Sequence, residues 1–219
     1  MEKFLGKKQA AFLARAFLMD TISTSLKIPR SSLYIAHTPP DSRTDFENFL
    51  YLFAGEEKNK KIAGKTDSIG FIPQANGDLA VSLSVASELL FSDGAKKVIF
   101  VGCDSPLLTP LVLRASFELL SEKQVVVGPT FDGGYYLLGV DDHYPALFEG
   151  IDWSSPGIYR DAVSRFSENG LKWQELELSY GVDGPDELEQ LYFDIDNLRL
   201  TGENEIAYHT ERCLQNLEK

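Results

Sequence analysis

The stretch that decides the fold is KVIFVGCDSP, at residues 97–106. Its apolar run has the length and the β-branched and aromatic content of a buried strand, which we predict over 97–102. Asp104 follows this strand directly. In sheets flanked by helices, ligands bind beyond the carboxyl ends of the strands, where a carboxylate suits a divalent cation. The alternative is structural, because Asp before Ser-Pro is also good turn chemistry.

Strand and helix patterns alternate along the rest of the chain. Strands are predicted at 33–37, 97–102, 124–127, 135–140 and 171–178, and helices at 7–26, 41–53, 77–91, 110–120, 155–169, 185–198 and 203–218. Such alternation implies crossover connections, and so predicts a mostly parallel sheet with helices on both faces. No repeat or linker interrupts it. We therefore predict a single α/β domain over residues 1–219, with 203–218 as a C-terminal helix.

Two of these helices have predicted buried faces. In the helix at 7–26, the residues at helical spacing are Ala11, Phe12, Ala14, Leu18 and Ile22. In the helix at 41–53, Asp41 is the predicted N-cap, and one face carries Phe46, Phe49, Leu50 and Phe53. The polar, lysine-rich stretch at 55–65 is interpreted as a solvated loop.

The composition excludes several classes of function. Acidic residues number 33 and basic residues 21, for a net charge of −12, which argues against nucleic-acid and membrane-surface partners. Cys103 and Cys213 form no CxxC pair, so a zinc cluster or a dithiol redox site is not expected, and Cys103 is predicted to be a small buried residue. The first residues lack a signal-peptide pattern, and no apolar run approaches the ~20 residues of a membrane helix, which predicts a cytoplasmic protein.

Two further segments carry candidate site residues. In GPTFDGGYYLLG, at 128–139, paired glycines allow a close approach of the backbone to a ligand, although an Asp-Gly hairpin turn between two strands is the alternative that the local pattern favours. In VDGPDEL, at 182–188, Asp183 precedes a helix start. Asp186 and Glu187 in the first helical turn are explained by the helix dipole.

These segments, taken in order, resemble a family. Gln74-x-x-Gly77-Asp78-Leu79 is followed by the stretches at 101–106, 128–139 and 182–188 in the order found in the bacterial transferases named radical-SAM/selenodomain-associated. The resemblance covers about residues 5 to 192. The family is similar to GT-A glycosyltransferases and to nucleotidyltransferases such as the phospholactate guanylyltransferases. The resemblance thus implies a GT-A-like, nucleotide-diphospho-sugar transferase fold and a nucleotide donor.

The resemblance also implies roles for individual residues. Asp104 would hold Mg²⁺ or Mn²⁺, with Asp183 as the candidate second metal ligand. Nucleotide or sugar contacts would come from Gln74, Gly77, Asp78, Gly133 and Gly134. Asp132 is the candidate catalytic residue, as a base that orients the acceptor, with a plain turn residue as the alternative.

Three features depart from the family pattern. The usual opening strand and its Lys-x-Pro-x-x-Gly-x-x-Lys-Thr-Arg-Leu loop fall before the first residue of this sequence, which predicts a sheet with exposed inner edges. The pattern Gly-Asp-Leu-Gly-x-Arg reads GDLAVS at 77–82, without the arginine, and Asp-Val-Asp-Thr reads GVDG at 181–184. Losing cations around a diphosphate removes strong, charge-assisted hydrogen bonds and lowers affinity.

The leading functional hypothesis is a glycosyltransferase-like protein that uses a nucleotide sugar, a small-molecule acceptor and a divalent metal. The first alternative is a nucleotidyltransferase, guanylyltransferase-like, that acts on a small phosphorylated acceptor with the same metal logic. The second is a catalytically inactive family member that serves as a binding module, for which the missing loop and the serine at position 82 are the direct support.

Overall fold

The computed structural model describes residues 1–56, 59–60, 62–149 and 157–217. Its helices are α1 (Glu2–Leu5), α2 (Lys7–Ser25), α3 (Arg43–Gly55), α4 (Ala63–Thr66), α5 (Leu79–Ser92), α6 (Pro110–Leu119), α7 (Ile158–Glu168), α8 (Pro185–Leu200) and α9 (Tyr208–Leu217). Its strands are β1 (Tyr34–His37), β2 (Gly70–Pro73), β3 (Val98–Val101), β4 (Val125–Pro129), β5 (Tyr135–Val140) and β6 (Trp173–Glu175). The predicted α/β class is confirmed.

The strands form two sheets of different character. β1 and β2 pair in parallel, with Tyr34 opposite Gly70, and form a two-stranded sheet. The other sheet has the order β3-β5-β4-β6. In it β5 runs antiparallel to both β3 and β4, whereas β4 and β6 are parallel. The prediction of a mostly parallel sheet is therefore correct only in part, because β4 and β5 are joined by a tight hairpin and not by a crossover helix.

The core lies on both faces of the four-stranded sheet. Val125, Val126 and Val127 in β4 are fully buried. Because side chains alternate along a strand, Val125 and Val127 pack with α5 and α7, and Val126 packs with α6 on the opposite face. Helices on both faces of the sheet were predicted, and the packing has this arrangement.

The buried face of α2 differs from the predicted one. Its buried apolar residues are Ala10, Leu13, Ala16, Phe17, Met19 and Ile22, whereas Ala11, Phe12 and Ala14 are exposed. The helix has apolar residues on more than one face, and its contacts with α8 and α9 through Leu13 and Phe17 select the buried one. No helix within the described ranges combines the length and apolar character needed to cross a membrane.

The start of α3 and the segment after it also correct the predictions. Ser42, not Asp41, is the N-cap residue of α3, and its buried hydroxyl donates to the carbonyl of Pro39. The predicted apolar face of this helix is confirmed, with Leu50 and Phe53 buried. The stretch at 55–65 is not a plain loop in its described part, because it enters α4 and its Asn59 is buried and donates to the carbonyl of Phe53. Asn59 is buried because it hydrogen-bonds with Phe53 and His209, and such contacts cannot be predicted from a lysine-rich local sequence.

Three element boundaries differ near the C-terminus. β6 covers only Trp173–Glu175 of the predicted 171–178, because the pairing with β4 becomes irregular beyond it, where Leu176 and Ser179 still donate to the carbonyls of Val127 and Pro129. α9 begins at Tyr208 and not at 203, because Ala207 has a positive φ of 52° that interrupts the helix. The predicted helix start at 155–156 and the predicted end at 218 lie outside the described residues.

A buried carboxylate determines where α9 begins. Asp20 of α2 accepts hydrogen bonds from the backbone N–H groups of His209 and Thr210, at 2.9 and 2.8 Å. It thereby caps the first turn of α9 from another helix, satisfying donors that have no partner within the helix. Burial raises the pKa of the Asp20 carboxyl from 3.8 to about 6, against the lowering effect of these hydrogen bonds.

Replacing Asp20 with Asn is expected to flatten the pH dependence of stability. Because the folded-state pKa is raised, the contribution of Asp20 is fully present below pH 3.8 and is lost as the pH rises through about 6. A shift of this size corresponds to at most about 3 kcal/mol. Urea unfolding at several pH values should show the natural protein losing stability relative to Asp20→Asn between about pH 4 and 7. Asp93→Asn, at an exposed position, is the control, and parallel curves for Asp20→Asn and the natural protein would contradict the assignment.

Candidate functional site

Strand order brings three acidic segments to one edge of the four-stranded sheet. β3 ends with Val101 opposite Leu137, close to the start of β5, so Asp104 emerges beside the hairpin that joins β4 to β5. β6 runs parallel to β4, and Ser179 forms a bridge with Thr130 at the hairpin itself. The chain then continues past Asp104 toward α8. The antiparallel direction of β5 is therefore what places these segments together; the local Asp-Gly hairpin pattern indicated this direction, whereas the expectation of a mostly parallel sheet did not.

Backbone hydrogen bonds fix the segment around residue 181 against Asp104. The N–H of Val182 donates to the carbonyl of Asp104 at 2.9 Å. The hydroxyl of Ser105, a buried residue, donates to the carbonyl of Tyr180 at 3.2 Å. Asp183 follows directly and is exposed. The two predicted metal ligands thus lie on adjoining backbones whose relative position is set by hydrogen bonds.

Two glycines make room for the Asp104 carboxylate. A Cβ on Gly102 would lie 2.4 Å from Oδ1 of Asp104, and one on Gly181 would lie 2.9 Å from Oδ2. Any other residue at either position would push the carboxylate away. Gly102 lies in the stretch at 97–106 and Gly181 in that at 181–184, but neither glycine could be given a role from the sequence, because no local pattern shows which side chain a glycine faces.

The hairpin at 130–134 is a tight turn held by its own side chains. The N–H of Thr130 donates to the carbonyl of Gly134, and the N–H of Gly133 donates to the carbonyl of Thr130. Gly133 has a φ of 86°, which favours glycine. Oδ1 of Asp132 accepts from the hydroxyl of Thr130 and from the N–H of Gly134. The Asp-Gly hairpin turn that the local pattern favoured is confirmed.

The electrostatics of this edge are dominated by negative charge. Partial burial, followed by the negative charge of Asp183, raises the pKa of the Asp104 carboxyl, and Asp132 adds a smaller effect in the same direction. No lysine or arginine of the described residues forms an ion pair with any of the three. We call Asp104, Asp132 and Asp183 the carboxylate cluster. It concentrates like charge that a bound cation would stabilise.

The carboxylate cluster offers part of the coordination shell of a divalent cation, and a bound phosphate group would supply the rest. Among the described residues, no group of three or more His, Cys, Asp or Glu side chains has the spacing of a metal cage built by protein alone. Asp104 and Asp183 supply oxygen donors, which Mg²⁺ and Mn²⁺ prefer. Mg²⁺ commonly binds through one or two carboxylates together with substrate phosphates, so two protein ligands suffice.

The predicted nucleotide contacts lie together in a second place. Gln74, Gly77 and Asp78 line a polar pocket of about 250 Å³ at the ends of β1 and β2, together with Ser82 of α5. Asp78 is the N-cap of α5, accepting from the N–H of Val81 at 3.0 Å. Ser82, where the family pattern has arginine, is buried and donates to the carbonyls of Ala75 and Asp78.

The prediction that Cys103 is a small buried residue is wrong, since this residue is exposed.

Solved structures share this architecture. A "putative nucleotide-diphospho-sugar transferase" from Desulfovibrio desulfuricans G20 matches with a TM-score of 0.80 and 24% identity, over 99% of this chain and 87% of that one. The 4-diphosphocytidyl-2C-methyl-D-erythritol synthase from Anaerococcus prevotii DSM 20548 matches with a TM-score of 0.56 and 12% identity, over 81% and 86% of the two chains. CMP:2-keto-3-deoxy-manno-octonic acid synthetase complexed with CTP matches with a TM-score of 0.50 and 11% identity, over 83% and 88%. These likenesses show a fold similar to that of nucleotide-diphospho-sugar transferase-like proteins.

The family follows from the sequence match. Residues 26–155 match the family described as "Uncharacterized protein conserved in bacteria (DUF2064)", and the chain belongs to it. No match is found among proteins with curated descriptions. The finer resemblance to the radical-SAM/selenodomain-associated branch stays a prediction.

An alanine substitution at Gly102, beside Asp104, should destabilise the fold less than one at Gly128, which packs in the core. Gly102→Ala is expected to change the free energy of unfolding by less than about 1 kcal/mol, because the atom that must move is the end of a partly exposed side chain. Gly128→Ala is expected to cost about 1–3 kcal/mol, since the new Cβ meets the ring of the buried Tyr136 at 2.4 Å. Urea unfolding of both variants tests this. Equal losses would mean that Asp104 is packed as rigidly as the core.

Proposed function

We propose that this chain is a metal-dependent transferase whose donor is a nucleotide-diphosphate sugar and whose acceptor is a small molecule. The observation that carries the proposal is the carboxylate cluster, in which Asp104, Asp132 and Asp183 converge and form no ion pair with any lysine or arginine that the structure describes. Such a cluster in a strongly acidic chain stabilises a bound dication and not the bare diphosphate. The fold shared with nucleotide-diphospho-sugar transferases supports the same class of donor.

In this proposal Asp104 and Asp183 hold Mg²⁺ or Mn²⁺. When bound, such an ion would supply positive charge that offsets the negative charge developing on a diphosphate leaving group, and these two carboxylates would hold it. The chain's own contribution is to fix the two ligands: Gly102 and Gly181 leave space for the Asp104 carboxylate, and the hydrogen bond from Val182 sets the distance between the two segments. Carboxylates that are already fixed in position lose less conformational entropy when a metal binds than mobile ones do.

The polar pocket at the ends of β1 and β2 is the proposed place for the nucleoside part of the donor. The amide of Gln74 offers both donors and an acceptor to a base or ribose. Gly77, with a φ of 137°, has no side chain between its backbone and a ligand. Asp78 is partly committed to capping α5, so its proposed role is to position this loop as well as to contact the ligand.

Asp132 is proposed as the group that orients the acceptor. Its Oδ1 is occupied by Thr130 and Gly134, while Oδ2 has no hydrogen-bond partner in the described part of the chain. A carboxylate that is fixed by one oxygen and free at the other is suited to accept a proton from an acceptor hydroxyl. Gly133 and Gly134 keep the approach to it open.

A nucleotidyltransferase is the second candidate. Two of the similar structures carry names of nucleotide-using synthases, and one of them is complexed with CTP. The same metal would then act on a nucleoside triphosphate and a small phosphorylated acceptor. Product analysis distinguishes the two candidates: a glycosyltransferase releases a nucleoside diphosphate, whereas a nucleotidyltransferase releases pyrophosphate.

The Asp104→Asn variant should lose metal-dependent nucleotide binding without losing its fold. The screen measures thermal shifts with UDP-, GDP-, ADP- and dTDP-sugars, CTP and GTP, each with and without Mn²⁺. A donor at a hundred times its dissociation constant stabilises the folded state by about 2.7 kcal/mol, which is several degrees for a chain of this size. The shift is expected with the natural protein and with Asp93→Asn, and absent in Asp104→Asn.

Two outcomes would contradict the proposal. An unchanged Mn²⁺-dependent shift in Asp104→Asn would remove this residue from the metal site. A folded natural protein that responds to no nucleotide in the panel would favour the inactive binding module, for which the serine at position 82 is the structural support. We also propose a cytoplasmic location, which the thermal-shift screen on purified protein does not test.

Asp132→Asn should reduce turnover and spare donor binding. Because Asn keeps an oxygen for Thr130 and Gly134 but is a poor base, the rate with the donor identified by the screen should fall by about 10²–10⁴-fold, while the Mn²⁺-dependent thermal shift stays within error. Steady-state kinetics with that donor test this. Normal turnover would mean that Asp132 is a turn residue alone.

A further inference from the structure

A groove of about 540 Å³ lies between α2 and α9, and none of its lining residues belongs to the carboxylate cluster or to the polar pocket. Its apolar surface includes the buried Ala16 and Met19 on α2 and Cys213 and Leu217 on α9. Phe12 also lines it and is 51% exposed, although a large aromatic side chain gains free energy by burial. The volume falls in the range of small-molecule sites, about 300–1,000 Å³.

Three cationic side chains line the same groove. Lys8 and Arg15 reach it from α2, and Arg212 reaches it from α9. Each lies over an aromatic ring: Lys8 Nζ is 5.8 Å from the ring centre of Phe12, and the guanidinium carbon atoms of Arg15 and Arg212 are 5.0 and 5.7 Å from those of Phe49 and Tyr208. The rings hold the cations in place but leave most of their N–H groups free to donate.

None of these three cations has a carboxylate partner among the described residues. The acidic side chain that lines the groove, Glu56, is 3.5 Å from Nδ1 of His209. Within the described residues, the groove therefore combines an apolar surface with three cations that form no ion pair, whereas the carboxylate cluster has the opposite character.

We propose that this groove binds a small anion that carries an apolar or aromatic group, with the anionic end held by Lys8, Arg15 and Arg212. Guanidinium groups donate paired hydrogen bonds to carboxylate, phosphate or sulfonate oxygens. The apolar group would cover Phe12 and Met19. A purely apolar ligand would leave the cations without a partner, and inorganic phosphate would leave the apolar surface exposed to water.

A fluorescence titration of the full chain tests the proposal with two matched dyes. Anilinonaphthalene sulfonate carries an anion on aromatic rings, and phenylnaphthylamine is its uncharged counterpart. We expect saturable, single-site binding of the sulfonate that decyl phosphate displaces and equimolar inorganic phosphate does not. The Arg15→Gln, Arg212→Gln double variant should weaken sulfonate binding at least about tenfold, because it removes two charge-assisted partners. Binding of phenylnaphthylamine should change by less than about twofold.

The control is Arg160→Gln, which removes an exposed arginine outside the groove and should bind the sulfonate as the natural protein does. Arg15→Glu is a second variant, expected to abolish sulfonate binding by charge reversal with an unchanged thermal unfolding temperature. Equal affinities of the natural protein and the double variant for the sulfonate would overturn the proposal. So would equal losses for both dyes, or displacement by inorganic phosphate as strong as by decyl phosphate.

Discussion

The antiparallel pairing of β5 with its two neighbours is the constraint on which the rest of the site depends. Because β3 and β5 run in opposite directions, the end of β3 lies beside the hairpin that begins β5. Asp104 and Asp132 are therefore neighbours in space, although 28 positions separate them in the chain. The parallel pairing of β4 with β6, and the bridge between Thr130 and Ser179, bring Asp183 to the same edge. The fully buried valines of β4 hold this arrangement in the core.

Five of the six strands in the described residues were predicted from the sequence, since apolar β-branched runs such as 98–101 and 125–127 have one good conformation in a buried sheet. The sixth, β2 at Gly70–Pro73, was missed, because a four-residue segment bounded by glycine and proline has no such run. Strand direction was not predictable in the same way, because the alternation of side chains is identical in parallel and antiparallel strands. The Asp-Gly pair at 132–133 did indicate a hairpin, and a hairpin makes β4 and β5 antiparallel. The local signal was correct, and the general expectation from strand and helix alternation was too broad.

For the site, the acidic residues were identifiable because each follows a strand or precedes a helix. What no pattern showed is how the backbone accommodates them: Gly102 and Gly181 are two of 17 glycines, and only the folded chain shows that both face Asp104. The same limit explains the error in α2. Apolar residues occur on several faces of that helix, and the partner helices, not its periodicity, decide that Leu13 is buried and Phe12 is not.

The two proposed sites, the carboxylate cluster and the groove between α2 and α9, carry charge of opposite sign. At the sheet edge, three carboxylates lie together and form no ion pair with a lysine or arginine of the described residues, although the N-terminal ammonium of Met1 donates to the backbone carbonyl of Asp183 at 2.8 Å. Between α2 and α9, three cations line one groove and form no ion pair with a carboxylate of the described residues, which is the charge that the proposed organic anion would meet. A ligand of the opposite charge would offset the repulsion within each group of like charges, as the two proposals require.

The most direct test of the central claim is the position of the metal itself. Crystals of the natural protein grown with Mn²⁺ and the nucleotide that stabilises it most would be measured at the manganese absorption edge. We expect one strong anomalous peak within coordination distance of oxygen atoms of both Asp104 and Asp183. A peak held by other residues, or a bound nucleotide with no manganese between these two carboxylates, would contradict it.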